Sequence, residues 1–209
     1  MEPQLIAIIC VSAISSIILI LVSALLIVKK VKNKKLKKFE ETGEIEFLNL
    51  ETEMSKISKI VSNCDYLMEG IYSFNFKNFE SGPILVNSYG LFVINEFGYK
   101  GKSIQGSFNS REWFIFKEKA KYYIYNPFWK LNKNIQDFLP MLPKNLPVIG
   151  ILSFNNINNF DIDNVPSHLS YTSLENFYEF FIDIKKNLKP VLSAENVQQI
   201  IKLLKLKRV

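Results

Sequence analysis

The chain has 209 residues, 48% hydrophobic, with 26 Lys and Arg against 20 Asp and Glu and a formal net charge of +6. That length holds one globular domain of about 150 residues with a real core, plus one accessory element. Two cysteines, Cys10 and Cys64, exclude a disulfide framework and a zinc cluster, which suits a reducing interior.

The accessory element comes first. Residues 5–28, "LIAIICVSAISSIILILVSALLIV", carry no charge, and 24 residues at about 1.5 Å each span about 36 Å against a hydrocarbon core of about 30 Å. Sixteen of them are Leu, Ile or Val, which favours lipid by about 5 to 10 kcal/mol. A cleaved signal peptide has a basic start and a shorter apolar run; here the start is "MEPQ". Isoleucine before Cys10 also argues against lipid attachment at that cysteine. The reading is an uncleaved transmembrane helix.

Seven lysines lie between Lys29 and Lys38. Flanking positive charge stays in the cytoplasm, so residues 1–4 are expected outside as a short extracytoplasmic tail, and everything beyond Lys29 inside. Removing those seven leaves 19 basic residues against 20 acidic ones. The basic excess is thus a feature of the membrane surface, where Lys29 to Lys38 meet anionic lipids, and not of a nucleic-acid groove spread over the domain. Residues 29–46 read as a Lys-rich tether, helical or flexible, and residues 47–209 as one cytoplasmic domain at the cell membrane.

Within that domain, Leu50, Met54, Ile57, Ile60 and Val61 recur at helix spacing, ending near "SNCD". "IYSFNF" alternates as a strand with Tyr72, Phe74 and Phe76 on one face. "PILVNS" and "LFVIN" flank a turn at Tyr89 and Gly90 as a hairpin. "KSIQGSF", "WFIF" and "YYIYNP" read as further strands, and residues 129–139 as a helix before Pro140. "PVIGILSF" is a continuous apolar run, as expected of a strand buried on both faces. Residues 173–188 and 193–207 read as helices, the second with Ser193 as its N-cap. The order is that of an α/β or α+β fold, a sheet with helices.

The stretch "VINEFGYKGKS", residues 93–103, contains Gly-Lys-Ser but is no phosphate-binding P-loop. Glu96 stands where such a loop needs its first glycine, and the residues after it read as strand, so no helix N-terminus is offered to phosphate.

Five pieces taken in order, "GPILVNSYGLFVINEFGYKGKSIQG", Trp113, "YYIYNP", "VIGILSFNN" and "LSAENVQQIIKLL", resemble the NERD (nuclease-related domain) family over roughly residues 51–206. The resemblance implies a restriction-endonuclease-like core, a central mixed sheet flanked by helices. It also implies an acidic residue on one strand and a Glu-x-Lys pair on the next; the carboxylates hold Mg²⁺ and the lysine steadies the reacting phosphate. Aligned on "YKG", the family's aspartate falls on Gly82, its glutamate on Asn95 and its lysine on Phe97. All three chemical groups are missing. Asn126 and Pro127 keep the family's Asn-Pro, and Lys130 stands where glutamine is usual. Restoring the three residues is expected to create a divalent-metal site in a folded domain.

Substitutes exist nearby. Glu53 corresponds to an acidic residue many relatives carry on the first helix, Glu80 lies two residues before Gly82, and Glu96 swings inward if Gly98 permits a bulge. Lys100 or Lys102 then replaces the cation. The reading is therefore a membrane-anchored NERD-like domain without catalysis or cofactor, binding or scaffolding an unidentified protein or nucleic acid. The alternative is a Mg²⁺-dependent membrane-tethered DNA nuclease using those displaced groups.

Other candidates read as structural. His168 is the only histidine, and the adjacent Ser167 is wrongly placed to be its nucleophile. Trp113, Trp129, Tyr122, Tyr123 and Tyr125 suggest a stacking platform for single-stranded nucleic acid, against which packing of an aromatic-rich sheet is the simpler expectation. Asp161 and Asp163 resemble a fragment of a calcium loop that lacks its glycine and closing glutamate.

Overall fold

The computed structural model describes residues 49–118 and 120–209. The expected tail of residues 1–4, the expected span over residues 5–28 and the tether with Lys29 to Lys38 lie outside the described residues. The described chain opens with helix α1, Leu50–Ile60. Asn49 caps it by accepting from the Glu51 amide at 3.0 Å, and Glu51 and Glu53 in the first turn with Lys59 in the last complement the helix dipole.

The fold is mixed α/β around a central mixed sheet of five strands. These are β1 (Asp65–Leu67), β4 (Ile84–Asn87), β5 (Gly90–Phe97), β9 (Val148–Phe154) and β11 (Leu169–Ser173), side by side in that order. β4 and β5 form the expected antiparallel hairpin, Ile84 opposite Val93 and Asn87 opposite Gly90. The Asn87 side chain accepts from the Tyr89 amide at 2.8 Å, closing the turn. Gly90, at φ 146°, lies against the Pro147 carbonyl where a β-carbon would come within 2.6 Å. β5 then runs parallel to β9, and β9 parallel to β11.

Alternation along these strands feeds two cores. Ile84, Val86, Leu91, Val93 and Leu152 face helix α2, Pro127–Phe138, through Phe128, Leu131 and Ile135, and helix α4, Ala194–Lys207, through Val197, Ile200 and Leu204. Leu85, Phe92, Ile94 and Ile151 face α1 and helix α3, Phe177–Asn187. β9 is buried on both faces over its C-terminal five residues, which is why its sequence is an unbroken apolar run.

A second sheet holds β6 (Ser103–Ser107), β7 (Glu112–Lys117), β8 (Ala120–Tyr125) and β10 (Asn159–Asp163), in the order β10-β6-β7-β8. Residues 98–102 therefore carry the chain from one sheet to another and are not the turn of a hairpin. A separate hairpin pairs β2, Gly70–Phe74, with β3, Lys77–Ser81. Its turn is Asn75-Phe76, at φ 49° and 61°, the left-handed pair a two-residue hairpin turn requires. Phe76 thus leaves the face expected to hold it with Tyr72 and Phe74, and it is fully exposed. β1, β3, β10 and β11 are strands that the sequence pattern does not predict, and the helix expected over residues 173–188 starts at Phe177 because Ser173 closes β11.

Asn126 joins the second sheet to α2. Its Nδ2 lies 3.1, 2.9 and 2.8 Å from the carbonyl oxygens of Ser107, Phe108 and Ser110. Its Oδ1 accepts from the Phe128 amide at 3.0 Å, capping α2, with Pro127 at the first helical position, where its missing N–H costs nothing. Replacing Asn126 by aspartate keeps the cap acceptor but sets a carboxylate oxygen against three carbonyls; those of Ser107 and Phe108 keep the Trp113 and Trp129 indoles as donors, while that of Ser110 loses the donor Asn126 gave it. Asn126→Asp is expected to lower unfolding free energy by about 2 to 4 kcal/mol in denaturant titration, more than loss of a helix cap alone.

Candidate functional site

A cleft of about 710 Å³ opens where the hairpin β2–β3, the C-terminal end of β5 and the first two turns of α2 meet. Glu69, Gly70 and Ile71 line one side, and residues Glu80 to Pro83 the next. Asn95, Glu96, Phe97 and Tyr99 form a third side, Pro127, Lys130 and Asn134 the fourth, with Leu152 behind. The structure thus gathers Gly82, Asn95, Phe97, Glu80, Glu96 and Lys130, singled out from the sequence, into one concavity.

The pleat of β5 decides what each residue does there. Asn95 and Phe97 share the face of Leu91 and Val93, toward α2, while Glu96 shares that of Phe92 and Ile94. Pairing with β9 is unbroken to Phe97 opposite Phe154, so no bulge turns Glu96 inward, and it sits exposed at the rim, 3.5 Å from Asn155 Nδ2. Phe97 is 8% exposed, packed on Tyr99 and Phe154 with ring centroids 4.9 and 5.1 Å away. An apolar ring thus stands where the resemblance would put a lysine.

Gly82 is held by its backbone. A β-carbon there would lie 2.2 Å from the Ile94 carbonyl oxygen and 3.1 Å from Asn95 Oδ1, and the neighbouring Pro83 carbonyl accepts from the Ile94 amide at 2.8 Å. An aspartate cannot enter without parting β4 from β5. The expectation that restoring three residues yields a metal site in a folded domain is corrected by this contact.

The remaining substitutes do not converge on the cleft. Glu53 is 4% exposed on α1, which packs on the face of β5 opposite Asn95, and it accepts from Lys56 Nζ at 2.7 Å. Lys100 and Lys102 lie on the connection between sheets, outside the lining. Among the described residues no three His, Cys, Asp or Glu side chains gather at metal-binding distance. The residues present do not fit a hard dication, which wants several anionic oxygens.

Two cleft residues escape a reading of the sequence altogether. Ser81 and Asn134 are 5% and 4% exposed, and Ser81 Oγ and Asn134 Nδ2 have no hydrogen-bond partner among the described residues. Asn134 lies one helical turn beyond Lys130, a spacing that puts both on one side of α2; that is the available signal. The frame around them is tied by Asp137 of α2, which accepts from Lys77 of β3 and from Lys133. Burial opposes ionisation of Asp137, but hydrogen bonds and charge from Lys133 and Lys77 prevail and hold the carboxyl below its ordinary value.

The other candidates lie outside the cleft lining, and of the five aromatic residues the expected packing accounts for Trp113 alone. His168 Nε2 lies 2.9 Å from Asn132 Oδ1, and Ser167 is exposed. Trp113 is fully buried, edge-on to Phe128, and donates to the Ser107 carbonyl at 2.8 Å. Trp129, Tyr122, Tyr123 and Tyr125 are exposed, the tyrosines on the edge strand β8. Asp161 and Asp163 sit in strand β10, with Asp161 accepting from Gln105 at 2.8 Å, and form no loop. Burial, and then the Asp65 charge, push the Cys64 thiol up to about 12, so it is a poor nucleophile.

No family model, curated protein or solved structure matches the chain.

Overfilling the backbone crossing has a measurable cost. Gly82→Asp, alone or with Asn95→Glu and Phe97→Lys, is expected to destabilise the domain by about 1 to 3 kcal/mol in thermal or denaturant unfolding. Calorimetry with Mn²⁺ should show no binding to the triple variant.

Proposed function

We propose that this chain is a membrane-anchored, NERD-like domain that has lost nuclease chemistry and uses its cleft to bind a partner. The resemblance rests on the five sequence pieces in order. A helix, antiparallel strands, a further helix and a buried parallel strand, which α1, β4, β5, α2 and β9 supply in that order, are compatible with the restriction-endonuclease-like core the resemblance implies. The observation that carries the reading is chemical. Gly82, Asn95 and Phe97, which the resemblance equates with the family's catalytic aspartate, glutamate and lysine, all line one cleft and bring no charge to it.

Hydrolysis of a phosphodiester needs the charge building on phosphorus to be neutralised and a water to be activated. Lys130 is the one cation among the lining residues, and no base is poised beside it by hydrogen bonding. Glu80 and Glu96 reach the same cleft from different elements, but Lys100 does not, and Glu96 belongs to the other face of β5. The groups of a displaced active centre are thus not assembled.

Anchoring completes the reading. The uncharged run over residues 5–28 is long enough for a bilayer, and Lys29 to Lys38 suit a cytoplasmic leaflet rich in anionic lipid. The domain then works on the cytoplasmic side of the cell membrane, concentrating its partner there without a cofactor.

The full chain in neutral detergent, incubated with double- and single-stranded DNA and Mg²⁺ or Mn²⁺, is expected to leave the DNA intact. Chelator-sensitive cleavage that disappears in Glu80→Ala would establish the displaced nuclease instead.

A further inference from the structure

We propose that the cleft is a docking groove for an extended segment of a partner protein carrying lysine or arginine. This rests on the non-catalytic reading of the cleft and adds the chemistry of its occupant. The floor supplies the first reason. Ser81 Oγ and Asn134 Nδ2 are buried without a partner among the described residues, and each such group costs about 1 to 3 kcal/mol. A ligand able to hydrogen-bond there recovers what the empty fold forgoes. Both residues line the cleft, and half a turn about the last torsion of Asn134, a soft one, exchanges its amide nitrogen and oxygen. Asn95 presents a second amide from the sheet side. A primary amide offers donors and an acceptor together, which matches a peptide group; a phosphate offers acceptors alone.

The rim supplies the second reason. Glu69, Glu80 and Glu96 line the cleft against Lys130, and none of these three carboxylates forms an ion pair with the described residues. Arg208 stands against Gly70, and its Nη2 donates to the Glu69 carbonyl at 2.6 Å, so that guanidinium is engaged with backbone and is not among the lining residues. Counted over the lining, three carboxylates against one ammonium leave the cleft negative, and salt screens that charge over about 8 Å at physiological strength. A polyanion is repelled; an ammonium or guanidinium is drawn in. Ile71, Phe97 and Leu152 give the aliphatic stem of such a side chain an apolar wall while its head stays at the acidic rim.

The test uses the full chain in neutral detergent. The probes are a fluorescein-labelled hexapeptide of alternating alanine and lysine, its glutamine-for-lysine counterpart, and a labelled single-stranded oligonucleotide, each followed by anisotropy. The lysine peptide is expected to bind saturably, the glutamine peptide about tenfold more weakly, and added salt to weaken the former. The exposed pair Glu69→Gln with Glu80→Gln should reduce affinity about tenfold. Asn134→Leu should weaken binding while leaving stability equal or higher, because it removes an unpaired polar group; a merely structural asparagine would show the opposite pattern. Unchanged affinity in both variants, preference for the oligonucleotide, or binding of neither probe overturns the proposal. Failure to bind with DNA left intact leaves the non-catalytic reading standing, whereas cleavage of DNA removes that reading itself.

Discussion

Two stretches of backbone meet at the base of the cleft, and their contact limits everything the cleft can hold. Gly82 approaches the Ile94 carbonyl so closely that a β-carbon would lie 2.2 Å away, and Pro83 accepts from the Ile94 amide. This crossing fixes where β4 starts, and hence the register that sets Ile84 opposite Val93. A side chain at position 82 would have to displace a strand at the heart of the central sheet. The absence of an acidic group there is therefore built into the packing of that sheet, and the neighbouring positions agree with it, since Phe97 is closed over by Tyr99 and Phe154.

The other walls of the cleft are fixed by polar contacts. The hairpin that brings Glu80 and Ser81 is tied to the helix that brings Lys130 and Asn134 by Lys77 on Asp137, a carboxylate that Lys133 of the same helix also holds, while Asn126 fixes where that helix begins. In each of these polar clamps one partner is buried or nearly so, which makes it worth more than a contact between two exposed groups. Hairpin and helix are thus held in one arrangement, in which Ser81 Oγ and Asn134 Nδ2 have no partner among the described residues. Unpaired buried polar groups persist in folded proteins where something other than stability maintains them.

Most of the central sheet is legible in the sequence because burial leaves a pattern. "VIGILSF" reads as a strand covered on both faces, the hairpin of β4 and β5 shows through Gly90 between apolar runs, and Ser193 marks the start of α4. β3 is hidden because only Phe79 and Ser81 of "KNFES" turn inward, and its turn carries phenylalanine where glycine is usual. β10 and β11 are edge strands with polar residues, which resemble loops. In the cleft, alternation within "NEF" places Asn95 beside Phe97, but Glu69, Ser81 and Asn134 come from three separated parts of the chain that only tertiary packing brings together. The crowding at Gly82 is a property of backbone approach and has no signature in composition or spacing.

A cleft without anionic ligands at its base, and with an acidic rim facing solvent, attracts cations loosely and holds no dication in fixed coordination. Anomalous diffraction from crystals grown with manganese tests this most directly. The cleft between β5, the β2–β3 hairpin and α2 should show no ordered ion, and a manganese peak coordinated by Glu80 together with a second cleft carboxylate would contradict the proposal that the cleft is non-catalytic.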